Sequence, residues 1–160
     1  MANPLYDALF GRHQGQMTTF IQLSDNTVTT HAAFLELAAQ YAHVFTKLGL
    51  EPGDRVAVQI EKSLQSIAVY AACTQAGLIF LPLNTAYTAE EISYFVHDSE
   101  ARIVLCDRKN ADLLKPVSIA AGAILETMDA AGQGSFSQQA AEMPTKFQTV
   151  VRSKNDLAAF

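Results

Sequence analysis

The chain has no tryptophan, two cysteines and five prolines in 160 residues, and only 17% of its side chains are charged. Cys73 and Cys106 stand alone, with no CxxC and no neighbouring histidine. That excludes a disulfide framework and a zinc site, and both read as reduced core residues acting as small hydrophobes. No window approaches the roughly 18 consecutive apolar residues that a membrane helix needs. The N-terminal stretch MANPLYDALFGRHQGQ is interrupted by Asp7, Gly11 and Arg12, so it lacks a secretory hydrophobic run, and the expected location is cytoplasmic. Eleven Lys and Arg against sixteen Asp and Glu give a net charge of −5, with the basic residues scattered from Arg12 to Lys154. Nucleic acid and anionic membranes, which are held through clustered cations, are therefore not expected partners. The motifs GxxxxGK[ST], GxGxxG after a strand, HExxH and GxSxG are all missing.

What is present is a core: 49% of the residues are hydrophobic. Residues 17–23 and 27–30, rich in Thr and β-branched side chains and separated by Ser24-Asp25-Asn26, predict a β-hairpin. From Thr30 the period changes. Phe34, Leu37, Ala38, Tyr41, Val44, Phe45 and Leu48 form one apolar helix face, closed by Gly49. The turn Pro52-Gly53-Asp54 leads to a β-branched strand over 55–60, then a helix over 63–76 ended by Gly77. Leu78–Leu81 and Ile103–Cys106 are continuous apolar runs, expected as strands buried on both faces. Between them Thr88 and Glu91 form a capping box for a helix whose inner stripe is Ile92, Phe95 and Val96. Residues 108–116 read as a polar helix or turn, Ala123–Leu125 as a short strand, and 129–149 as a surface helix between loops. The alternation predicts an α/β fold: a mostly parallel sheet with helices on both faces, plus the N-terminal β-hairpin.

In such sheets ligands gather beyond the carboxyl ends of the strands, which points to the loops Glu61-Lys62-Ser63 and Pro82–Tyr87. Asn84 and Tyr87 are the candidate substrate-binding residues there. Each also has a local reading: Ser63 as a helix N-cap, Asn84 bonding its own turn, Tyr87 packing beside the Thr88 cap. His97-Asp98 cannot form a base and orienter pair, because adjacent helix positions point about 100° apart. His13, His31 and His43 are isolated in sequence and are expected at the surface or in packing roles. Gly132 and Gly134 follow no strong strand signal, which argues against a phosphate-cradling turn.

Residues 49–107 resemble the N-terminal part of the adenylate-forming acyl-CoA synthetases. The resemblance rests on Gly49-Leu50, Pro52-Gly53-Asp54-Arg55-Val56, the stretch Gln75–Thr88, then Glu91, Tyr94, Asp98 and Ile103–Asp107. Glu61-Lys62-Ser63 with Leu81-Pro-Leu-Asn-Thr-Ala-Tyr-Thr88 looks most like the malonyl-CoA synthetases. It extends from about residue 4 to the last residue and is loose over 108–150. It implies an ATP-dependent ligase in which a carboxylate attacks the α-phosphorus of ATP, pyrophosphate leaves, and CoA captures the acyl-adenylate. The implied cofactors of the full-length enzyme are ATP, Mg²⁺ and CoA, and the implied acid is malonate or a methyl-substituted malonate. Ala33 replaces the Glu that relatives often carry three residues after the helix-opening residue, so the box at Thr30 is expected to be lost.

Residues 155–160 resemble the segment that leads, in that family, into a Ser/Thr/Gly phosphate loop ending in Lys-Gly. That loop, the adenine motif, the ribose aspartate and the catalytic lysine have no counterpart in residues 1–160. The chain is thus expected to be a single N-terminal subdomain, to carry no catalytic residue, to hold no cofactor alone, and to depend on the remainder of its own polypeptide. Self-association through Leu157–Phe160 is a further expectation. Two alternatives stand beside this reading: the same subdomain from a ligase for another acid, and a stand-alone α/β binding module without turnover.

Overall fold

The computed structural model describes residues 2–160. Asn3 caps a short helix α1 (Pro4–Leu9), accepting from the Tyr6 N–H, and a 3₁₀ turn at Gly11–His13 follows. The hairpin is β1 (Thr19–Gln22) antiparallel to β2 (Val28–Thr30), and Asn26 takes a positive φ of 66° in its turn. Helix α2 (His31–Lys47) then buries Phe34, Tyr41, Val44 and Phe45 almost completely. Each such side chain stabilises the fold by about 1.5–3 kcal/mol through its removal from water. Thr30 still accepts from the Ala33 N–H at 3.2 Å, so only the reciprocal half of that cap is missing.

Four strands follow: β3 (Arg55–Gln59), β4 (Ile79–Pro82), β5 (Ile103–Cys106) and β6 (Ile124–Thr127), all parallel in the order β4-β3-β5-β6. They are joined by α3 (Leu64–Ala76), α4 (Ala89–Asp98) and α5 (Ala111–Ala121). Strand alternation divides the core in two. Val56, Val58, Ile103 and Leu105 meet α2 and α3, while Ala57, Val104 and Cys106 meet α4 and α5. The expected α/β architecture with helices on both faces is therefore the observed one.

Some local expectations change. Phe80 of β4 is only half-buried, because β4 is flanked by β3 on one side and on the other by a single parallel bridge to Ala159. The 108–116 segment is a 3₁₀ turn at Arg108–Asn110 followed by α5, which continues to Ala121 because Leu114 and Val117 are buried against α4. The helix expected at the surface within 129–149 is α6 (Ser135–Ala140), and it is anchored inward: Phe136 is fully buried against Tyr41 and Phe45 at 5.2 and 5.0 Å. Gly132 and Gly134 do follow a strand, β6, but Gly134 lies so close to the Thr127 carbonyl that a Cβ would sit 2.2 Å from it. Its role is close backbone approach.

Residues 141–152 cross the back of α2 and α3 as a strap without regular structure. Side chains of the helices hold its main chain: Gln40 donates to the Met143 carbonyl at 3.0 Å, His43 Nε2 to that of Lys146 at 2.7 Å, and Asn3 to that of Val150 at 3.3 Å.

Candidate functional site

A crevice of about 820 Å³ opens at the carboxyl ends of β3 and β4. Its position follows from the winding. The chain leaves β3 toward α3 on one face and leaves β4 toward α4 on the other, so the two loops diverge and leave a gap between adjacent strands. The loops around it are those singled out above, Glu61–Ser63 and Pro82–Thr85.

The floor is apolar, with Ile60, Ile67, Tyr70 and Phe80, and the Tyr70 and Phe80 rings meet edge to face at 5.3 Å. Burial, aided by Cys73, raises the Tyr70 phenol above its ordinary value, so it is a neutral donor at physiological pH. Ser63 and Ser66 cap α3 reciprocally, the Ser66 N–H donating to Ser63 Oγ at 3.2 Å and the Ser63 N–H to Ser66 Oγ at 3.0 Å. Those hydroxyls are structural. Glu61 and Lys109 approach to 3.7 Å with both side chains well exposed, which contributes little to stability.

Asn84 lines the crevice, and its Oδ1 accepts from the Ala86 N–H at 2.9 Å. Its backbone turn is thus set by its own side chain, leaving the amide NH₂ as the group available to a ligand. Tyr87 stacks on Phe95 at 5.2 Å, against the α4 side of the sheet, and does not line the crevice. The structure brings Asn84, Glu61 and Lys62 together and places Tyr87 apart.

One residue that sequence reasoning passed over ties the loop after β4 to the turn after β5. Gln59 is 1% exposed at the end of β3. Its Nε2 donates to the carbonyls of Asn84 at 3.2 Å and Tyr87 at 3.4 Å, and its Oε1 accepts from Asn110 Nδ2 at 3.2 Å. A buried amide costs free energy unless it is paired, so this polar residue in an apolar strand was the available signal. Beside it Thr88 accepts from the Glu91 N–H at 3.3 Å while Glu91 accepts from the Thr88 N–H at 2.8 Å, completing the expected capping box of α4.

Chemically the crevice can bind and orient. No histidine, cysteine or aspartate lines it among the described residues, Lys62 is the single cation there, and no cluster of three metal-ligating side chains occurs among the described residues. Elsewhere, the His97 Nδ1 is committed to the Ser93 carbonyl at 2.8 Å. His13 and His31 prove not to be isolated, since the hairpin stacks their rings at 4.6 Å.

In an open parallel sheet the crevice at the switch point is where a ligand is held, and the sequence is more specific: over residues 10–160 the chain matches the AMP-binding enzyme family, to which it belongs. Among solved structures it is similar to MatB from Rhodopseudomonas palustris, known in apo and ATP-bound forms, with 36% identity and a TM-score of 0.94 over 99% of this chain and 32% of that one. It is 26% identical to the long-chain-fatty-acid–CoA ligase FadD13 of Mycobacterium tuberculosis over 102 residues, 64% of this chain and 20% of that protein. It is 31% identical to the oxalate–CoA ligase of Arabidopsis thaliana over 81 residues, 50% of this chain and 16% of that one. The chain thus spans a third or less of the length of these relatives.

Proposed function

We propose that these residues form the N-terminal subdomain of an ATP-dependent, AMP-forming acid–CoA ligase whose acid is malonate or a methyl-substituted malonate. The reading rests above all on the similarity to MatB across nearly the whole chain, at an identity well above that to FadD13. In it, the subdomain supplies a rigid sheet and the apolar crevice wall, with Asn84 as the polar contact to substrate or to the neighbouring part of the enzyme and Tyr87 holding the loop against α4. The remainder of the polypeptide supplies the phosphate loop, the Mg²⁺-assisted handling of ATP and the CoA site. A second reading, a ligase for another short dicarboxylic acid, is favoured by the oxalate–CoA ligase among the relatives.

Alone, residues 1–160 are expected neither to bind ATP at micromolar concentration nor to release pyrophosphate. Polyphosphate recognition needs several oriented donors at once, each hydrogen bond to a charged group being worth about 1.5–3 kcal/mol, and the crevice offers one lysine. Calorimetric titration with ATP and Mg²⁺ and a pyrophosphate-release assay with malonate and CoA test this, and sustained turnover by the 160 residues overturns it. A polypeptide carrying these residues together with the missing phosphate-loop and lysine segments should release pyrophosphate with malonate faster than with oxalate or a long-chain fatty acid. The reverse order overturns the choice of acid.

A further inference from the structure

Asn84 lines the crevice from a turn that is fixed at more points than its own closure needs. The residue before it, Leu83, is buried and donates its N–H to the Val58 carbonyl of β3 at 2.8 Å. The turn over residues 84–87 closes by itself, the Tyr87 N–H donating to the Asn84 carbonyl at 3.1 Å and the Ala86 N–H to Asn84 Oδ1. Gln59 adds a hold from outside, because its Nε2 donates to the carbonyls at both ends of that turn. Its own amide is anchored in the opposite direction. Oε1 accepts from Asn110 Nδ2, and the Asn110 N–H donates to the Asp107 carbonyl at 2.9 Å. A leucine would fill the apolar strand at position 59 without the cost of burying an amide, so what the amide brings is the location of the turn. With Oδ1 committed to Ala86, the Asn84 NH₂ makes no hydrogen bond to another described residue.

From this network we infer that Gln59 is a positioning residue of the ligase, an inference that rests on the reading above. By clamping both ends of the 84–87 turn it holds the Asn84 NH₂ where that group donates to an acceptor oxygen of a reactant in the crevice. Gln59 itself touches no reactant, being 1% exposed. Asn110 acts one step further back, by fixing the Gln59 amide.

The test is steady-state kinetics of the polypeptide that carries these residues with the phosphate-loop and lysine segments, the KM being measured separately for malonate, ATP and CoA. Asn84→Ala is expected to raise the KM of one of the three about three- to tenfold with kcat little changed. That is the loss of one neutral hydrogen bond made equally in the ground and transition states. Gln59→Leu should raise the same KM and no other, and the double variant should be no worse than Asn84→Ala alone. Val117→Ala, which leaves a gap between α5 and α4, should lower the melting temperature with all three KM values unchanged. Where Gln59→Leu does not fold, Asn110→Ala decides in the same terms, since it removes only the partner of Gln59 Oε1. A fall in kcat, a rise in all three KM values, or effects that add in the double variant overturn the positioning role. So does Asn84→Ala with the KM values of the parent. Each of these leaves the ligase reading standing, because the parent still releases pyrophosphate; a parent that releases none refutes that reading and the role of Gln59 with it.

Discussion

Gly77 joins α3 to β4 with a φ of 73°, in the left-handed region where a side chain is strained. A Cβ there would also lie 3.0 Å from Arg152 Cδ and 3.1 Å from Val150 Cγ1. Gly77→Val should destabilise the fold by about 1 kcal/mol or more, read as a lower melting temperature, and a variant that melts with the parent would refute the assignment. This position was legible in advance, because a glycine after a periodic apolar run and before a buried strand has few other reasons to be there. The pairing of His13 with His31 was not legible, since the hairpin that brings the rings together lies between them in sequence. Asn84 was legible as a loop residue at the right end of the sheet. That its own carbonyl and that of Tyr87 are gripped by Gln59 depends on which face of β3 a polar side chain occupies, and an apolar run does not declare its parity.

Gln59 links three elements: the loops that follow β4 and β5 both hang from the last residue of β3. Gln59→Leu keeps the volume roughly but leaves the Asn84 and Tyr87 carbonyls and the Asn110 amide without this partner. The expected cost is about 1–3 kcal/mol, with faster amide exchange at Ala86 and Tyr87 than in the parent, while protection in β5 falls only in line with global stability. Uniform acceleration across the chain would show that Gln59 supports the fold generally and not those loops. The periodic elements were readable because α2 runs for seventeen residues, enough for several repeats of its apolar face. Helix α6 has six residues, less than two turns, so the inward direction of Phe136 left no periodic trace. The strap was unreadable for another reason: its hydrogen bonds to the helices run through main-chain carbonyls, which every residue type possesses, and only isolated side chains such as Met143 and Phe147 pack inward.

For the molecule as a whole, burial holds several acidic groups in their protonated forms. Desolvation, with a smaller contribution from Asp107, pushes the Cys106 thiol from 9.0 to about 12, and desolvation with Asp7 pushes the Tyr6 phenol from 10.0 to about 12. The Cys73 thiol and the Tyr41 phenol are also raised by burial. In the unfolded chain these groups lose their protons at lower pH than in the folded one. Their contribution is therefore fully present below about pH 9 and is lost as pH rises toward about 12. The urea midpoint should fall across that interval, and an unchanged midpoint would contradict the burial of these groups. Both thiols should likewise resist iodoacetamide at mildly alkaline pH until the protein unfolds. The Arg152 N–H donates to the Ala2 carbonyl at 2.8 Å, and Asn3 reaches both Thr74 and Val150. The beginning of the chain is thus stitched to a segment made about 150 residues later. On the ribosome Phe10 can pack on Phe34 and Tyr70 once α3 has emerged, but the Ala2 and Asn3 bonds to the strap have to wait until nearly all of this sequence is out. Closure of the helical face is then a late event of synthesis, and the interval before it is when a nascent chain of this sequence is most exposed to aggregation or to a chaperone.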